Sequence, residues 1–499
     1  MDNASNSNLV ITSAVAATAI FLTYLYRNDP IFLTGNTNQK HLHRVGGAIP
    51  FLGDAGVVSK QMERFHDFTV EMFERHNNQS WMLKLFFSPV TIVTNDPSNV
   101  ECVLKNKFTV FDKGPRFQSV FRDLLGHGIF NADGEEWKSQ RKLAANIFNV
   151  KNFKDYVRNV FSTEMESFSK VLDTHVETGE TFDLQELFFR FTFDSFTHIG
   201  FGVDVGTMST AGTIPFMAAF DAVQKRTSIR MFTPLWSYVE YWNGEAKINE
   251  QQIKLIRDFG HSIVKQKRES GVEGENDLLA LLMKVKGENG EPPSDELLVD
   301  YALNFLLAGR DTTACALSWA IFMLHQNPHA YSALMNEINE VVGNSSPTYE
   351  QIRTEMPYAN AVFHETLRLY PSVPSNMKQA NEDVTLPDGT FVPKGCTVAW
   401  SPYAMGRTAA IWGDDAKEFK PERWLKMEKL PSPFDYPAFQ AGPRVCLGKS
   451  MAELEGVYVL VELMRRYKIE VVNEKDVTYA FTVLLPMKNG LMVKCSLRE

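Results

Sequence analysis

The sequence has few cysteines and no closely spaced pair of them. The five cysteines lie at positions 102, 315, 396, 446 and 495, so no Cys-x-x-Cys motif is present. A structural zinc site needs clustered thiolate or imidazole ligands, and a disulfide scaffold needs several paired cysteines. The spacing therefore argues against both and indicates a reducing compartment such as the cytosol.

Linkers, repeats and an excess of positive charge are lacking as well. No long Pro-, Gly- or Ser-rich tract interrupts the 499 residues, which predicts one large domain. The formal net charge of −9 argues against a nucleic-acid partner. Hydrophobic residues make up 44% of the chain and include 36 phenylalanines, enough to build a core and to line an apolar pocket. We therefore expect a small apolar ligand.

Charged residues are absent from Leu9 to Tyr26, a stretch close to the length of a membrane-spanning helix. It lacks the basic start and the small-residue cleavage site of a signal peptide. Asp2 precedes the stretch and Arg27 follows it, which favours a cytoplasmic position for the rest of the chain. We predict a transmembrane anchor at 1–27, a linker at 28–54 and a catalytic domain at 55–499.

Residues 439–448 read FQAGPRVCLG and surround Cys446 with features that suit a metal-bound thiolate. Arg444, and the N-terminus of a helix predicted to begin near residue 447, would stabilise negative charge on the sulfur. Gly442 and Gly448 let the backbone approach a flat group and turn sharply. Phe439 would shield the metal–sulfur bond, and backbone N–H groups would tune it. The alternative is an ordinary buried cysteine.

A long helix is predicted from Ser294, as its N-cap, to Asn327, just before the helix-ending Pro328. Such a helix would be roughly 48 Å long at 1.5 Å per residue. It could therefore cross the whole domain.

The middle of this apolar helix is interrupted by AGRDTT, residues 308–313. Gly309 would weaken the helix and leave space beside it. Thr312 could bond back to a helix carbonyl or hold a water molecule, and Asp311 could connect that water to solvent as a proton relay. The alternative is a kinked helix with a satisfied threonine and a salt-bridged aspartate.

Two further helices are predicted to carry paired residues. Trp137 and Arg141 are four apart in GEEWKSQRKLAANIF, so one helix face presents an indole and a guanidinium that can bind a carboxylate. Glu365 and Arg368 are three apart and can form a charge-assisted pair. Either pair alone is also compatible with an ordinary helix.

Together these stretches resemble the cytochrome P-450 haem-thiolate monooxygenases. The cysteine loop matches F-x-x-G-x-R-x-C-x-G at every fixed position, AGRDTT resembles the acid–alcohol motif, and E-x-x-R is followed by FKPERW at 419–424. The resemblance covers the chain from about residue 46 onward. It implies a mainly α fold with a minor β-sheet domain, arranged as a triangular prism around a buried haem, behind an N-terminal membrane anchor helix.

The resemblance also implies roles for individual residues. Cys446 would be the axial thiolate ligand of a noncovalently bound haem b, because Ala308 stands where some relatives carry a glutamate esterified to the haem. Oxygen would bind in the space beside Gly309, Thr312 and Asp311 would be catalytic as the proton relay that breaks the O–O bond, and residues 216–242 would roof the substrate channel. The remaining implied residues are the haem contacts Trp137, Arg141, Arg444 and Lys378, the structural network of Glu365, Arg368 and Arg423, and the pocket residues Phe117, Phe121, Leu125, Phe305, Ala308, Val373 and Leu484.

The implied reaction inserts one oxygen atom from O₂ into a C–H bond. Electrons would come from NADPH through a separate NADPH-cytochrome P-450 reductase, with a cytochrome b-type protein as a second donor, because the sequence carries no flavin or nicotinamide module. The implied location is the endoplasmic reticulum membrane, with a single-pass anchor and a cytosolic catalytic domain.

The loop KGPRFQSVFRDLLGHGIFNADG and the segment LPDGTFVPKG resemble the plant and fungal fatty-acid ω-hydroxylases. The expected substrate is therefore a medium- to long-chain fatty acid, oxidised at or near its terminal methyl group. Its carboxylate would need a cationic or hydrogen-bonding partner, for which Lys225, Arg226 and Arg230 are candidates.

Other functions fit parts of the sequence. A monooxygenase for sterols, terpenoids or xenobiotics would carry the same motifs. A thiol hydrolase would need Cys446 and a base such as His364 within hydrogen-bond reach. A non-enzymatic haem carrier has no need of the Asp311–Thr312 pair, and peroxide-rearranging relatives often lack the threonine.

Overall fold

The structure is a computed structural model. It describes residues 13, 15–20, 39, 42–46, 53–85, 88–149, 151–285 and 293–498, with the backbone alone at 149 and 151–154. Most of the predicted anchor, Leu9 to Tyr26, lies outside these residues. Among the described residues, no helix has both the length and the apolar character needed to cross a membrane. The chain divides into two compact units, which are treated separately.

The first unit comprises Met1–Asp112, Phe232–Leu235 and Met377–Ser401. Its main feature is a six-stranded sheet with the strand order β1-β2-β3-β9-β6-β4, and it also contains a separate two-stranded sheet, β7-β8. Elements are numbered along the whole chain. The strands of this unit are β1 (His43–Arg44), β2 (Trp81–Lys84), β3 (Val90–Thr94), β4 (Phe111–Asp112), β6 (Asn376–Ala380), β7 (Val384–Thr385), β8 (Phe391–Val392) and β9 (Thr397–Trp400), and its helices are α1 (Ala55–Gln61), α2 (Phe65–Arg75) and α3 (Pro97–Glu101).

Strands β2 and β3 form the hairpin that their alternating, β-branched sequence predicts. They pair antiparallel, with Trp81 opposite Val93. Strand β3 continues the sheet by pairing parallel to β9, which brings the segment around Trp400 back to the N-terminal strands. Trp81 and Trp400 are both fully buried, so aromatic burial stabilises this sheet.

The second unit comprises Lys113–Met231, Trp236–Asn376 and Pro402–Glu499. It is dominated by helices, and its small sheet has the order β10-β11-β5 with antiparallel pairing throughout. The strands are β5 (Phe182–Asp183), β10 (Tyr467–Val471) and β11 (Met492–Leu497). The helices are α4 (Pro115–Leu125), α5 (Gly134–Asn149), α6 (Lys151–Thr178), α7 (Leu184–Phe201), α8 (Pro215–Phe232), α9 (Trp236–Asn243), α10 (Glu245–Ser270), α11 (Leu278–Met283), α12 (Asp295–Gln326), α13 (Pro328–Val341), α14 (Tyr349–Thr354), α15 (Pro357–Leu369), α16 (Pro402–Met405), α17 (Ala409–Trp412), α18 (Glu422–Leu425) and α19 (Lys449–Arg466).

The expectation of a mainly helical fold with small sheets is therefore confirmed for the described residues. The long helix α12 has the predicted ends. The Ser294 side chain accepts a hydrogen bond from the Leu297 N–H, which satisfies one of the unpaired donors of the first turn. Pro328 starts the next helix, since proline suits a first turn but cannot continue the preceding ladder.

Close packing of α19 against α15 depends on Gly456. A Cβ atom built on Gly456 would lie 2.4 Å from Cε2 of Phe363, too close for any real contact. Both residues are buried, so the ring has little room to move away.

The first prediction tests this contact. Gly456→Ala should lower the free energy of unfolding by about 1–3 kcal/mol, the usual cost of overpacking a core. Adding Phe363→Leu to the same chain should recover part of the loss, because it removes the ring that the new methyl group meets. Thermal and urea unfolding would measure both effects. A Gly456→Ala protein as stable as the parent would contradict the packing described.

Candidate active site

The loop around Cys446 consists of two single-turn 3₁₀ helices, Pro437–Phe439 and Gly442–Arg444, followed by the start of α19. The Cys446 N–H donates to the Phe439 carbonyl over 2.9 Å, which closes the loop upon itself. Gly442 has a φ of +64°, a conformation that favours glycine. Helix α19 begins at Lys449, two residues later than the sequence predicted. The loop therefore holds the cysteine just before a helix N-terminus.

Cys446 is exposed, whereas the other four cysteines are buried. Even so, crowding by protein atoms raises the pKa of its thiol; the Gly448 N–H and the charges of Arg141 and Lys449 act in the opposite direction. We expected Arg444 and the helix N-terminus to stabilise negative charge on the sulfur; without a bound metal, desolvation outweighs the groups that lower the pKa of this thiol. A metal bound to the sulfur would displace the thiol proton, and the opposing groups would then stabilise the thiolate.

The predicted haem contacts of α5 lie beside this loop. Arg141 donates from Nη2 to the Val445 carbonyl over 2.5 Å, and the Arg444 guanidinium lies over the Trp137 ring, 4.4 Å from its centroid. Arg444 also pairs with Asp133 at 2.7 Å. Arg444 was expected to stabilise the thiolate, but its charge is balanced by Asp133, and the cations that lower the pKa of Cys446 are Arg141 and Lys449.

Lys113 belongs to the same group of charges and was missed by sequence reasoning. Its N–H donates to Asp133 over 2.8 Å, and its ammonium lies 4.3 Å from the centroid of the Phe117 ring. Burial and the Arg444 charge lower the pKa of Lys113 to about 7, and Asp133 opposes that shift. Lys113 precedes the Gly-Pro that starts α4, but nothing local in the sequence indicated its partner, twenty residues away.

One narrow face of α12 is open within an otherwise buried helix. From Leu298 to Ile321 the half-buried residues are Phe305, Ala308 and Thr312, and all others are buried. Spacings of three and four residues put these three on one helix face. Thr312 donates from its hydroxyl to the Ala308 carbonyl over 2.5 Å, as the sequence suggested. This face is the candidate for the reaction centre.

The space expected beside Gly309 is filled by a side chain. A Cβ atom on Gly309 would lie 2.1 Å from Cδ1 of Phe196 in α7, so the glycine admits an aromatic ring. Helix α12 also continues unbroken through 308–313. The prediction of an oxygen-binding gap at Gly309 is therefore wrong, because close helix packing uses the missing side chain.

Three hydrogen bonds connect α12 to the segments that carry other predicted pocket residues. Asn304 donates to the Leu125 carbonyl over 2.8 Å. Ser372, next to Val373, donates to the Thr312 carbonyl over 2.7 Å. The Trp319 indole donates over 2.8 Å to the carbonyl of Leu485, the neighbour of Leu484.

The predicted pocket residues are thus carried by segments attached to one helix. Phe117 and Phe121 stack with ring centroids 4.2 Å apart, and Phe305 stacks on Phe148 at 5.8 Å. Phe121, Leu125 and Leu484 are buried, whereas Phe117 and Val373 are half-buried like the open α12 residues. Lys378 is buried in β6 of the first unit.

Glu365 is the centre of a buried hydrogen-bond network in the second unit. Its carboxylate pairs with Arg368 over 2.7 Å and with Arg423 over 2.9 Å, and it accepts hydrogen bonds from the Trp424 indole and the Lys420 N–H. Arg368 additionally donates to carbonyls of the segment 406–418. The three residues predicted to form a structural network therefore contact one another, and the carboxylate is fully paired.

An accessible cysteine in a glycine-flanked loop, cations that favour its thiolate and a nearby helix with an open threonine face define a thiolate-ligated haem protein. The comparison with known families agrees. The family model described as Cytochrome P450 matches residues 44–493. The chain belongs to the cytochrome P450 family, and it is a haem-thiolate monooxygenase.

Similar proteins come from plants and a fungus. Cytochrome P450 86B1 of Arabidopsis thaliana is 39% identical over 433 residues, covering 82% of this chain and 77% of that protein. Cytochrome P450 704B1 of the same plant is 35% identical over 498 residues, covering 90% and 94%. Cytochrome P450 monooxygenase cyp1 of Mycosarcoma maydis is 36% identical over 435 residues, covering 81% and 67%.

The second prediction concerns the buried network. Glu365→Ala leaves two buried guanidinium groups without their shared carboxylate, at a cost of about 3–5 kcal/mol. We expect the variant to lose haem incorporation, measured by the absorption band of the reduced carbon monoxide complex. Asp415→Ala is the matched control, because Asp415 also pairs with Arg423 but is 36% exposed and should retain haem. Purified Glu365→Ala protein with normal haem content would contradict the prediction.

Proposed function

We propose that this monooxygenase hydroxylates medium- to long-chain fatty acids at or near the terminal methyl group. The observation that carries the proposal is the narrow open face of α12, where Phe305 and Thr312 flank the small Ala308. An alkyl chain end fits such a strip, whereas a broad ring system needs a wider opening. The overall reaction consumes the substrate, O₂, NADPH and one proton, and it yields the alcohol, water and NADP⁺.

Positioning has to outweigh bond strength in this reaction, because a terminal C–H bond is stronger than those of the neighbouring methylene. A site that admits only the chain end can achieve this, since correct orientation lowers the effective barrier. The stacked rings of Phe117 and Phe121 and the Phe305 ring supply rigid apolar surface for such a channel.

We assign residues to the cofactor on the same basis. Cys446 would ligate the haem iron, with Phe439 and the Gly442 and Gly448 backbone around it, and Trp137, Arg141 and Arg444 would contact the haem edge. Bound in this way, a haem-thiolate supplies the activation of O₂. Thr312 would hold the water through which a proton arrives, and Asp311 would feed that water from solvent.

Two of the three cations that the sequence suggested as partners of the substrate carboxylate are already paired within the protein. Arg226 pairs with Glu245, and Arg230 forms a bidentate pair with Glu240 at 2.7 and 2.6 Å and a further pair with Asp123. These guanidinium groups are engaged with internal carboxylates. Lys225 remains exposed on α8.

We also propose that the chain is anchored by residues 1–27, joined through 28–54 to the catalytic domain at 55–499, with that domain on the cytosolic face of the endoplasmic reticulum. The uncharged stretch at 9–26 supports the anchor. Helix α9 exposes Tyr238, Tyr241 and Trp242, the last of them 82% exposed, and aromatic residues of this kind favour a membrane interface. Electrons would arrive from a separate NADPH-cytochrome P-450 reductase, a redox partner that members of the family generally use.

The third prediction concerns haem attachment. Ala308 offers no carboxylate for an ester, so the haem should be held noncovalently through Cys446. Acid–solvent extraction of the purified protein should transfer all haem to the organic phase. An Ala308→Glu variant is the informative comparison, because it restores the group that an ester needs. Haem that stays on the parent protein after extraction would contradict the prediction.

The fourth prediction tests the substrate. Reconstituted enzyme should give a binding-induced spectral shift with medium- to long-chain fatty acids and convert them to terminal or near-terminal alcohols, because the narrow channel orients the chain end. Sterols, terpenoids and aromatic compounds serve as the comparison set. Oxidation of any of these without oxidation of fatty acids would overturn the proposal.

A pair of variants sharpens the same test. Phe305→Ala should raise the fraction of products hydroxylated away from the chain end at least about threefold, since removing the phenyl ring widens the open face. Phe322→Ala removes a half-buried phenylalanine of the same helix outside the 298–321 stretch and should leave the product ratio unchanged. Equal product ratios in the two variants would show that Phe305 does not shape the channel.

A further inference from the structure

Arg310 stands immediately before Asp311 and is fully buried in α12. Its Nη1 donates to two carboxylates at once, Asp311 over 2.7 Å and Asp221 of α8 over 2.7 Å. The rings of Phe189 and Phe220 lie 4.9 and 5.9 Å from the guanidinium carbon. Because an arginine stays protonated, it cannot pass a proton, but it can hold a carboxylate in place.

Helix α8 holds the other side of Asp311. Gln224 donates from Nε2 to Oδ2 of Asp311 over 2.7 Å, so both oxygens of that buried carboxylate have partners. Asp221 and Gln224 are three residues apart and therefore lie on the same face of α8. The Asp221 side chain is 54% exposed, so the group connects the buried Asp311 to the surface.

Asp311 and Thr312 point in different directions. Successive helix residues are about 100° apart, and here Asp311 contacts α8 while the Thr312 hydroxyl bonds to Ala308. For Asp311 to serve Thr312, its carboxyl group has to exchange a partner on α8 for water. The strength of its hold on α8 therefore affects how readily a proton is delivered.

We infer that Arg310, Asp221 and Gln224 are positioning residues for the reaction with O₂. Together they set how firmly Asp311 is held against α8, and they make proton delivery depend on that helix. Asp221 and Gln224 act in opposite senses. Gln224 donates to Asp311 and favours its ionised form, whereas Asp221 competes for Arg310 and repels the Asp311 charge.

The pKa of Asp311 supports this geometry. Burial raises it to about 6; Arg310 and Gln224 oppose the shift, and Asp221 adds to it. Two other titratable groups lie close by. Glu186 of α7 acts on Arg310, and burial raises the pKa of the Cys315 thiol so far that it stays neutral. Asp311 is therefore expected to change charge near pH 6.

The fifth prediction uses the yield of hydrogen peroxide per NADPH oxidised. When proton delivery is too slow for O–O cleavage, hydrogen peroxide is released instead of product. The overall reaction then converts NADPH, O₂ and a proton to NADP⁺ and hydrogen peroxide. The yield should rise with pH through a midpoint set by Asp311. Asp221→Asn should lower that midpoint and Gln224→Met should raise it, each by about half a pH unit, since one removes a repelling charge and the other a donor to the anion.

Two controls keep the test specific. Glu245→Gln removes another carboxylate paired with an arginine of α8, Arg226, and should leave the midpoint in place. Asp311→Asn should abolish the pH dependence. Midpoints that do not move, that move in the same direction, or that survive in Asp311→Asn would overturn the inference.

The measurement is independent of the proposed substrate, because peroxide yield can be followed with or without a fatty acid. An enzyme that does not oxidise fatty acids, but whose midpoint falls in Asp221→Asn and rises in Gln224→Met, would refute the proposed substrate and support the positioning role. Haem content, from the reduced carbon monoxide band, and thermal unfolding should match the parent in both α8 variants. A purely structural role would instead lower both without shifting the midpoint.

Discussion

The buried carboxylate of Glu365 is the interaction on which the rest of the second unit depends. It joins α15 to the segment before the cysteine loop by accepting hydrogen bonds from Arg368, Arg423, Trp424 and the Lys420 backbone. A buried charge is stabilising only when its partners are complete, since the cost of desolvation is large. The segment that leads to the Cys446 loop therefore depends on every residue of the Glu365 network.

The same constraint recurs at Asp311 of α12, with a different outcome for function. Around Glu365 every hydrogen-bond partner is internal. Around Asp311 the Arg310 guanidinium is shared with Asp221, whose side chain is 54% exposed, and the Asp311 carboxyl group has a pKa of about 6. The two buried acids thus differ in whether their partners are shared with an exposed group.

The sequence predicted what depends on local order. Caps and proline located the ends of α12, alternation located the β2–β3 hairpin, and a ten-residue motif located Cys446. It did not predict pairings between distant segments, such as Arg444 with Asp133 or Arg310 with Asp221, because nothing near either residue identifies its partner. Gly309 was misread for the same reason, since the ring that occupies its space belongs to α7, more than a hundred residues earlier.

The packing of Phe196 against Gly309 has a consequence for hydration. Phe196 meets Phe161 edge to face at 6.1 Å, and Phe161 meets Phe191 in the same way at 5.9 Å. This aromatic layer presents no hydrogen-bonding groups to the rear of α12, so water gains nothing by entering there. Any chain of water molecules that reaches Thr312 therefore has to approach from a side of α12 that this aromatic layer does not cover.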